Sequence, residues 1–298
     1  MSRSGDQAAD PLPTLIAANV VVVAGKGGVG KTTVTAVLAR AAADTGLQVL
    51  VVELDGKPLL ATLVPGIEVR SISASDALNE YLREKGFTRV AKRLASSGVI
   101  DVISTAAPGI DDIVVLGKIK QLERSRQWDL IVVDGPAAGH AITFLTSAKG
   151  MLDSVRGGPV YAQAKDVMEL LGDPERCQVV LVTLPETTPV NEVIETSATL
   201  AERVGVRLGP VVINGVDPRT DVPDPSTLKL GRGSDANALR AAAVFRRARR
   251  AMQDDEIARL ERSVTTPVVE LVSLPVAGLV ADDIHLLAAS LANLGGTP

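Results

Sequence analysis

Short, continuous runs of apolar residues alternate along this chain with longer segments whose apolar residues recur every three or four positions. The short runs predict β-strands at residues 19–24, 48–54, 130–133, 179–182, 211–213 and 268–272. Because these runs are apolar throughout, they are typical of strands that are covered on both faces. Segments with helical spacing, such as residues 31–43, separate the strands. The pattern predicts an α/β fold, a doubly wound, mostly parallel sheet with helices on both sides.

The loop after the first strand has the spacing of a phosphate-binding loop. It reads Gly25-Lys26-Gly27-Gly28-Val29-Gly30-Lys31-Thr32-Thr33 and contains G-x-x-x-x-G-K-[ST]. Its glycines let backbone N–H groups turn around phosphate oxygens, and the helix that follows adds its partly positive N-terminus. In this pattern Lys31 reaches the β- and γ-phosphates, and the Thr32 hydroxyl is placed to ligate Mg²⁺. Residues 25–33 therefore predict a binding site for ATP and Mg²⁺.

Two other strands end on a carboxylate at the same edge of the predicted sheet. Asp55 follows the second strand, where it would orient the attacking water or contact Mg²⁺ through water; a turn-forming Asp-Gly is the alternative. Asp134 ends a later strand and suits a carboxylate in the Mg²⁺ shell. Gly135 and Gly139 would permit a mobile loop that senses the γ-phosphate. His140 would couple that loop to a partner or a phosphate, or would only start a helix.

The chain length predicts one phosphate-loop domain over residues 15–298. The polar composition of residues 1–14 predicts a disordered N-terminus before it. Residues 73–126 and 139–175 are longer than a single crossover helix, so we expect them to form an inserted helical layer beside the nucleotide end of the sheet. Residues 217–237 are rich in Pro, Gly, Asp and Ser and predict a flexible loop.

Composition narrows the classes of partner. The net charge of −4 and the pI near 5.4 do not suit a globally basic nucleic-acid binder, so no nucleic-acid partner is expected. The single cysteine, Cys177, cannot form an internal disulfide or hold a metal cluster alone, and we expect it to be buried in a strand. No apolar run approaches the roughly 18 residues of a membrane span. No secretory signal is recognised, so we expect a cytoplasmic protein that is not an integral membrane protein.

Lys26 is a basic residue that an ordinary phosphate loop does not require. It resembles the signature lysine of the "deviant" phosphate-loop ATPases, which include the nitrogenase iron protein, MinD, ParA, and the arsenite-pump and tail-anchored-protein-targeting ATPases. This resemblance implies that Lys26 reaches the nucleotide of a facing subunit, so that hydrolysis depends on a dimer.

Motifs spread from residue 20 to residue 285 narrow the resemblance to the arsenite-pump (ArsA) and tail-anchored-protein-targeting ATPases, and most closely to short actinobacterial members. The segment 134–140 is similar to their Asp-Thr-Ala-Pro-Thr-Gly-His loop, and 182–186, with Glu192 further on, to their V-x-x-P-E segment. The strand ending at Asn214 resembles one whose asparagine contacts adenine, and Pro275 lies in a segment that resembles the loop closing over the base.

The resemblance implies a dimeric switch that hydrolyses Mg-ATP and handles a hydrophobic client or a membrane-associated partner. The dimer would be a homodimer or a heterodimer with a paralogous subunit. Residues 55–58 read Asp-Gly-Lys-Pro where the family usually has Asp-Pro-Ala-His. A nucleotide-loaded scaffold subunit with weak turnover is therefore one alternative. A MinD/ParA-type positioning ATPase is another, and against it stands the absence of Lys and Arg after Arg262, where membrane-binding members carry a basic helix. The single cysteine leaves no C-x-x-C for a zinc-stapled dimer and no basis for direct arsenite control.

Two further segments have alternative interpretations. The apolar residues of 139–175, including Phe144, Leu145 and Met151, would line a client groove or belong to the core. The four arginines of 246–250 precede acidic residues at 254–256, and the spacing from Arg250 to Asp254 permits an i,i+4 ion pair. This run is therefore a solvated helix face or a surface for an anionic partner.

Overall fold

A computed structural model describes residues 11–54, 59–84, 86, 109–218 and 233–293 of the chain. Eight strands in these ranges form one sheet in which every pairing is parallel. The strands are β1 (Val20–Gly25), β2 (Val49–Glu53), β3 (Glu68–Ser71), β4 (Leu130–Ala137), β5 (Cys177–Thr183), β6 (Arg207–Leu208), β7 (Val211–Val216) and β8 (Val268–Val272). Their order is β3-β2-β4-β1-β5-β7-β8, with β6 paired to β5. The predicted α/β fold with a parallel sheet is confirmed.

Helices cover both faces of this sheet. They are α1 (Leu12–Leu15), α2 (Lys31–Asp44), α3 (Leu60–Leu63), α4 (Ala74–Glu84), α5 (Ile110–Arg124), α6 (Ala138–Ser154), α7 (Pro159–Leu171), α8 (Thr187–Arg203), α9 (Ser234–Ser263) and α10 (Ala281–Asn293). One face packs against α1, α2, α3 and α10, and the other against α4 to α8 and the C-terminal part of α9. The alternating side chains of β1 show this directly, because Val20 and Val22 enter one core and Val21 and Val23 enter the other.

The two long segments that predict a helical layer contain α4 and α5 in the first and α6 and α7 in the second. These helices share one core, in which Phe144 and Leu145 are buried and Met151 packs against the buried residues. Lys120 fastens the layer, since its buried ammonium donates to the Asp166 carbonyl of α7 at 2.5 Å. Of the two interpretations of segment 139–175, the structure supports the core.

Four details of the sequence prediction are corrected. The prediction of disorder over residues 1–14 is wrong for the last of them, because Leu12 is buried in α1. The prediction of a flexible loop over residues 217–237 is wrong for its last residues, because α9 begins at Ser234. Residues 219–232 of that segment lie outside the described residues. Strands β3 and β6 were missed, because β3 is short and largely exposed and β6 has only two residues.

The fourth correction concerns Gly135, which lies inside strand β4 instead of in a mobile loop. A Cβ at this position would lie 2.5 Å from the Val23 carbonyl oxygen of β1. Glycine is therefore needed for close packing of β4 on β1, and β4 passes directly into α6 without a connecting loop. Cys177, in contrast, is fully buried in β5 as predicted, and burial raises the pKa of its thiol to about 12.

Candidate nucleotide site

The β1–α2 loop has the backbone conformation that its glycines predict. Gly28 and Gly30 have φ angles of 88° and 89°, in the left-handed region that favours glycine. Gly30 is also crowded, because a Cβ there would overlap the Asn214 side-chain nitrogen. Helix α2 begins at the next residue, Lys31. The loop therefore presents backbone N–H groups and a helix N-terminus at the carboxyl ends of the central strands, where α/β sheets bind ligands.

Asn214 of β7 connects that strand to the phosphate loop through a hydrogen bond. Its side-chain amide nitrogen donates to the Val29 carbonyl at 2.9 Å, joining residues 185 positions apart. Strand β7 lies two positions from β1 in the sheet, with β5 between them. This contact places Asn214 at the edge of the phosphate loop. That position is compatible with the adenine contact that the family resemblance implies, and it adds a structural role that the sequence did not predict.

Asp134 lies beside the hydroxyl predicted to bind Mg²⁺. The Thr32 hydroxyl donates to one Asp134 oxygen at 2.8 Å, and the Thr35 hydroxyl donates to the other at 3.3 Å. Both threonines are on the first turns of α2, while Asp134 is on the neighbouring strand β4. The parallel pairing of β1 with β4 brings them together, so the two metal-site residues predicted from separate motifs meet in the fold.

The donor set around Asp134 fits Mg²⁺. A hydroxyl and a carboxylate are hard oxygen ligands, and Mg²⁺ keeps several waters and takes few protein ligands beside substrate phosphates. Among the described residues, no cluster of three or more His, Cys, Asp or Glu side chains could hold a metal by itself. Thr32, with Asp134 behind it, would hold the ion together with phosphate oxygens.

The two lysines of the loop have different environments. Lys31 donates to the Lys26 carbonyl at 3.3 Å, which keeps its ammonium within the curl of the loop. The Lys26 ammonium lies 2.5 Å from a Glu192 oxygen on α8, and both side chains are more than a third exposed. Lys26 is thus held on the outer side of the loop, at a surface that solvent or another molecule can reach.

Of two further predicted site residues, Asp55 and Pro275, the structure describes only Pro275. Asp55 lies outside the described residues, together with residues 56–58. Pro275 is exposed in the segment after β8, and this segment begins with the Ser273 N–H donating to the Val216 carbonyl of β7 at 2.8 Å. The segment therefore starts at the end of the strand that carries Asn214, and its role at the base stays a prediction.

A carboxylate at the start of α5 lies within electrostatic reach of the start of α6. Asp112, in the first turn of α5, has a pKa raised to about 6, chiefly by burial and further by Asp111. His140, in the first turn of α6, acts in the opposite direction and partly offsets this rise in pKa. The sequence identified His140 but missed Asp112, since an acidic pair at a helix start is an ordinary helix signal.

Thr35 and the contact between Lys26 and Glu192 were also missed. Thr35 lies one helical turn after Thr32, so helical spacing would have put both hydroxyls near the same carboxylate. In the sequence, Glu192 is identifiable only as a residue that follows the V-x-x-P-E segment. Nothing in the local sequence links it to Lys26, 166 positions away.

A parallel sheet whose first strand leads through a glycine-rich loop into a helix, with Lys31 and Thr32 at the turn, defines a phosphate-loop nucleotide-binding protein. Residues 18–157 match the model of the anion-transporting ATPase family, ArsA_ATPase. The ATPase BagA of Mycobacterium tuberculosis strain H37Rv is 34% identical over 245 residues, which cover 74% of this chain and 72% of that protein. The chain belongs to the ArsA anion-transporting ATPase family.

More distant relatives carry a more specific name. An arsenical pump-driving ATPase of Escherichia coli is 31% identical over 207 residues, 65% of this chain but only 34% of that protein. A putative arsenical pump-driving ATPase of Halobacterium salinarum is 26% identical over 266 residues, 78% of this chain and 41% of that protein. In the described ranges, no helix combines the length and apolar character needed to cross a bilayer.

Proposed function

We propose that this ArsA-family protein is a dimeric switch that binds and hydrolyses Mg-ATP and couples closure of the dimer to a hydrophobic client or a membrane-associated partner. The observation that carries the nucleotide chemistry is the meeting of Thr32 with Asp134 at 2.8 Å beneath the glycine-rich loop. This pair supplies the hydroxyl and the carboxylate that a phosphate-loop site uses, at the end of the helix where anions bind.

This geometry supports the following roles within one chain. Backbone N–H groups of residues 27–30 and the start of α2 cradle the phosphates, while Lys31 balances the charge that develops on the transferring group. Asp134 accepts hydrogen bonds from Thr32 and Thr35 and so fixes the hydroxyl that would ligate the metal. When bound, Mg²⁺ neutralises charge on the β- and γ-phosphate oxygens. Asp55 would orient the attacking water, as the sequence predicts.

The position of Lys26 supports the dimeric part of the proposal. Its ammonium points to Glu192 and not into its own loop, and the pair is partly exposed. Exposed ion pairs are typically worth only about 0.2–1 kcal/mol. A phosphate of a facing subunit carries more charge than one carboxylate, so Lys26 can exchange Glu192 for it when two chains close around nucleotide.

The output would pass through β4 and α6. Asp134 contacts the metal-binding hydroxyl, and no loop separates its strand from the next helix, because β4 ends at Ala137 and α6 begins at Ala138. Phe144 and Leu145 of α6 share a core with Ile113 of α5, so a shift at the end of β4 would also change the packing of the helical layer. We infer that this layer responds to the nucleotide state through packed, rigid elements.

Substitution of Lys31 tests the proposed nucleotide chemistry. Lys31→Ala removes the cation at the β- and γ-phosphates, and we expect ATP binding or turnover to fall by roughly 10²-fold or more. A fluorescent ATP analogue reports binding, and phosphate release reports turnover. Lys165→Ala, at an exposed position of α7, is the matched control. Unchanged binding and turnover in Lys31→Ala would refute the proposal.

A further inference from the structure

Asn214 makes a hydrogen bond to the phosphate loop that a contact with the base does not require. Its side-chain amide nitrogen donates to the Val29 carbonyl at 2.9 Å. Val29 lies in the middle of the loop, and its side chain is buried in the core. The bond joins protein groups only, so it orients the loop whether or not a base is bound.

The peptide group between Val29 and Gly30 connects this bond with the phosphates. The peptide is trans, and in a trans peptide the C=O and the following N–H point in opposite directions. A donor that holds the Val29 carbonyl on the side of β7 therefore turns the Gly30 N–H away from β7. Gly30 directly precedes α2, where the first N–H groups of the helix also lack an intrahelical partner. No group in the described ranges accepts from the Gly30 N–H, so it can donate to a phosphate oxygen.

The loop by itself does not fix the orientation of this peptide group. Gly28 and Gly30 stand on either side of Val29, with φ angles of 88° and 89°. Glycine gives the backbone access to more conformations than any other residue, so the peptide could rotate until its carbonyl faced the phosphates and repelled them. The buried Val29 side chain holds one part of this segment, and the Asn214 amide holds the carbonyl.

Asn214 is itself held in the sheet. It lies on β7, which pairs with β5, and β5 pairs with β1, the strand that leads into the loop. The register between β7 and β8 shifts directly after Asn214, where Gly215 has a φ of 76°. Irregularities of this kind re-aim a side chain next to a site. The anchor for the Val29 carbonyl is therefore part of the paired sheet and not of another loop.

We propose that Asn214 is a positioning residue for the phosphates, because its bond to the Val29 carbonyl aims the Gly30 N–H at a phosphate oxygen. The bond also polarises the peptide group, which makes this N–H a stronger donor. The role applies to any Mg²⁺-bound chain of phosphates, with or without a base. It rests on the proposed nucleotide function and is separate from the adenine contact that the family resemblance implies.

Binding of tripolyphosphate, a chain of three phosphates without a base, tests this role. Asn214→Ala removes the amide donor, and Asn214→Leu removes it while keeping a branched side chain of similar size. We expect both variants to bind tripolyphosphate with Mg²⁺ roughly fivefold more weakly than the wild type, the loss typical of one hydrogen bond. Their affinity for ATP should fall at least as much. Isothermal titration calorimetry measures both affinities. Asn19→Ala, at an exposed position before β1 and thus at the opposite edge of the sheet, is the control and should change neither.

Nuclear magnetic resonance reports on the Gly30 N–H directly. Val29-Gly30 and Val204-Gly205 are the only Val-Gly pairs of the chain, so labelling the valine carbonyl carbons with ¹³C and the glycine nitrogens with ¹⁵N selects these amides. In the wild type we expect tripolyphosphate to move the Gly30 signal and to leave the Gly205 signal, which comes from the end of α8, in place. In Asn214→Ala the Gly30 signal should differ already without ligand and should move less at saturation. An unchanged Gly205 signal verifies that the variant is folded.

Three results would overturn the role of Asn214 and leave the nucleotide function standing. The first is unchanged tripolyphosphate binding in both variants beside weaker ATP binding, which would assign Asn214 to the base. The second is a Gly30 signal that responds to tripolyphosphate in Asn214→Ala as it does in the wild type. The third is a wild type that binds ATP but not tripolyphosphate, because the phosphates would then not carry the binding. A wild type that binds neither ligand would refute the nucleotide function as well.

Discussion

The phosphate loop and residues 234–252 of α9 are both basic segments of a protein with a net negative charge, but they hold their cations in different ways. Around the loop, residues of distant strands fix polar groups in place, since Asn214 donates to the Val29 carbonyl and Asp134 accepts from the Thr32 hydroxyl. In α9 the arginines are arranged mainly by helical periodicity, and the helix is fixed to the body at Asp217 and beyond. A loop whose polar groups are fixed from several elements is pre-organised for one small anion of defined shape, whereas helical spacing by itself does not pre-organise such a site.

Substitutions at Lys26 and Asp55 should give the largest effects at the loop. We expect Lys26→Ala to leave ATP binding largely intact and to suppress hydrolysis by roughly 10³–10⁵-fold, as for a cation supplied across an interface. Asp55→Asn should trap ATP, because the water loses its orienting carboxylate while the phosphate cradle remains. Phosphate release and nucleotide retention measure the two effects.

Mixing the two variants tests whether sites are completed across a dimer. If Lys26 acts on the facing subunit, a mixed dimer of Lys26→Ala and Asp55→Asn chains contains one complete site and should recover part of the activity. Differently tagged chains verify that mixed dimers form. Verified mixed dimers without recovered activity would exclude a role of Lys26 in the facing site.

The crowding at Gly30 gives the next largest expected effect. Gly30→Ala requires a left-handed φ of 89° and places a Cβ against the Asn214 amide. The left-handed conformation costs an L-residue roughly 1–2 kcal/mol, and the hydrogen bond to Val29 is disturbed as well. We expect ATP affinity to fall roughly tenfold or more, measured by titration with a fluorescent analogue.

A second substitution separates the backbone strain at residue 30 from the close contact with the Asn214 side chain. Asn214→Ala in the Gly30→Ala background removes the close contact but not the backbone strain, so affinity should recover only in part. Full recovery would show that the contact alone matters. Gly46→Ala also has a left-handed φ, of 95°, but lies after α2 away from the loop, and it should leave ATP affinity unchanged.

Glu192 should have a smaller effect of opposite sign. In the structure it holds Lys26 at 2.5 Å, so Glu192→Gln removes a competitor for that ammonium. Because exposed ion pairs are typically worth about 0.2–1 kcal/mol, we expect hydrolysis and ATP-dependent dimer formation to rise by up to about fivefold. Glu195→Gln, one turn further on α8 and exposed, should change neither. Slower hydrolysis in Glu192→Gln would mean that Glu192 positions Lys26 for catalysis.

The smallest expected effect is a pH dependence of stability at Asp112. Its pKa is raised to about 6 in the fold from an ordinary 3.8, so its contribution to stability is full below pH ~4 and is lost as the pH rises through about 6. Asp112→Asn does not ionise and should be more stable than the wild type at pH 8, by about 1 kcal/mol because the group is partly exposed to solvent. The two proteins should converge near pH 4. Thermal unfolding measures the difference, and a constant difference across this range would contradict the assignment.

The strands and the loop were predictable because their signals are local. A run of β-branched residues specifies a strand buried on both faces, and glycines with Lys31 and Thr32 specify a phosphate loop, whatever the rest of the chain does. Local sequence patterns did not predict an element that was short or exposed, such as β3. They also did not predict the role of a glycine that could serve two purposes. Gly135 could give mobility or close packing, and only its position opposite the Val23 carbonyl decides for packing.

By itself, the sequence determined that this is a parallel α/β protein with a phosphate loop of the deviant type. Only the tertiary structure decided which residues meet there: Thr32 with Asp134, Val29 with Asn214, and Lys26 with Glu192, pairs separated by 102, 185 and 166 positions. The structure also decided that Arg246 of α9 pairs with Asp217 and that Phe245 of the same helix is exposed. The physical reason is that local residue patterns fix the conformation of each element, whereas contacts between distant residues depend on strand order and on how each helix packs.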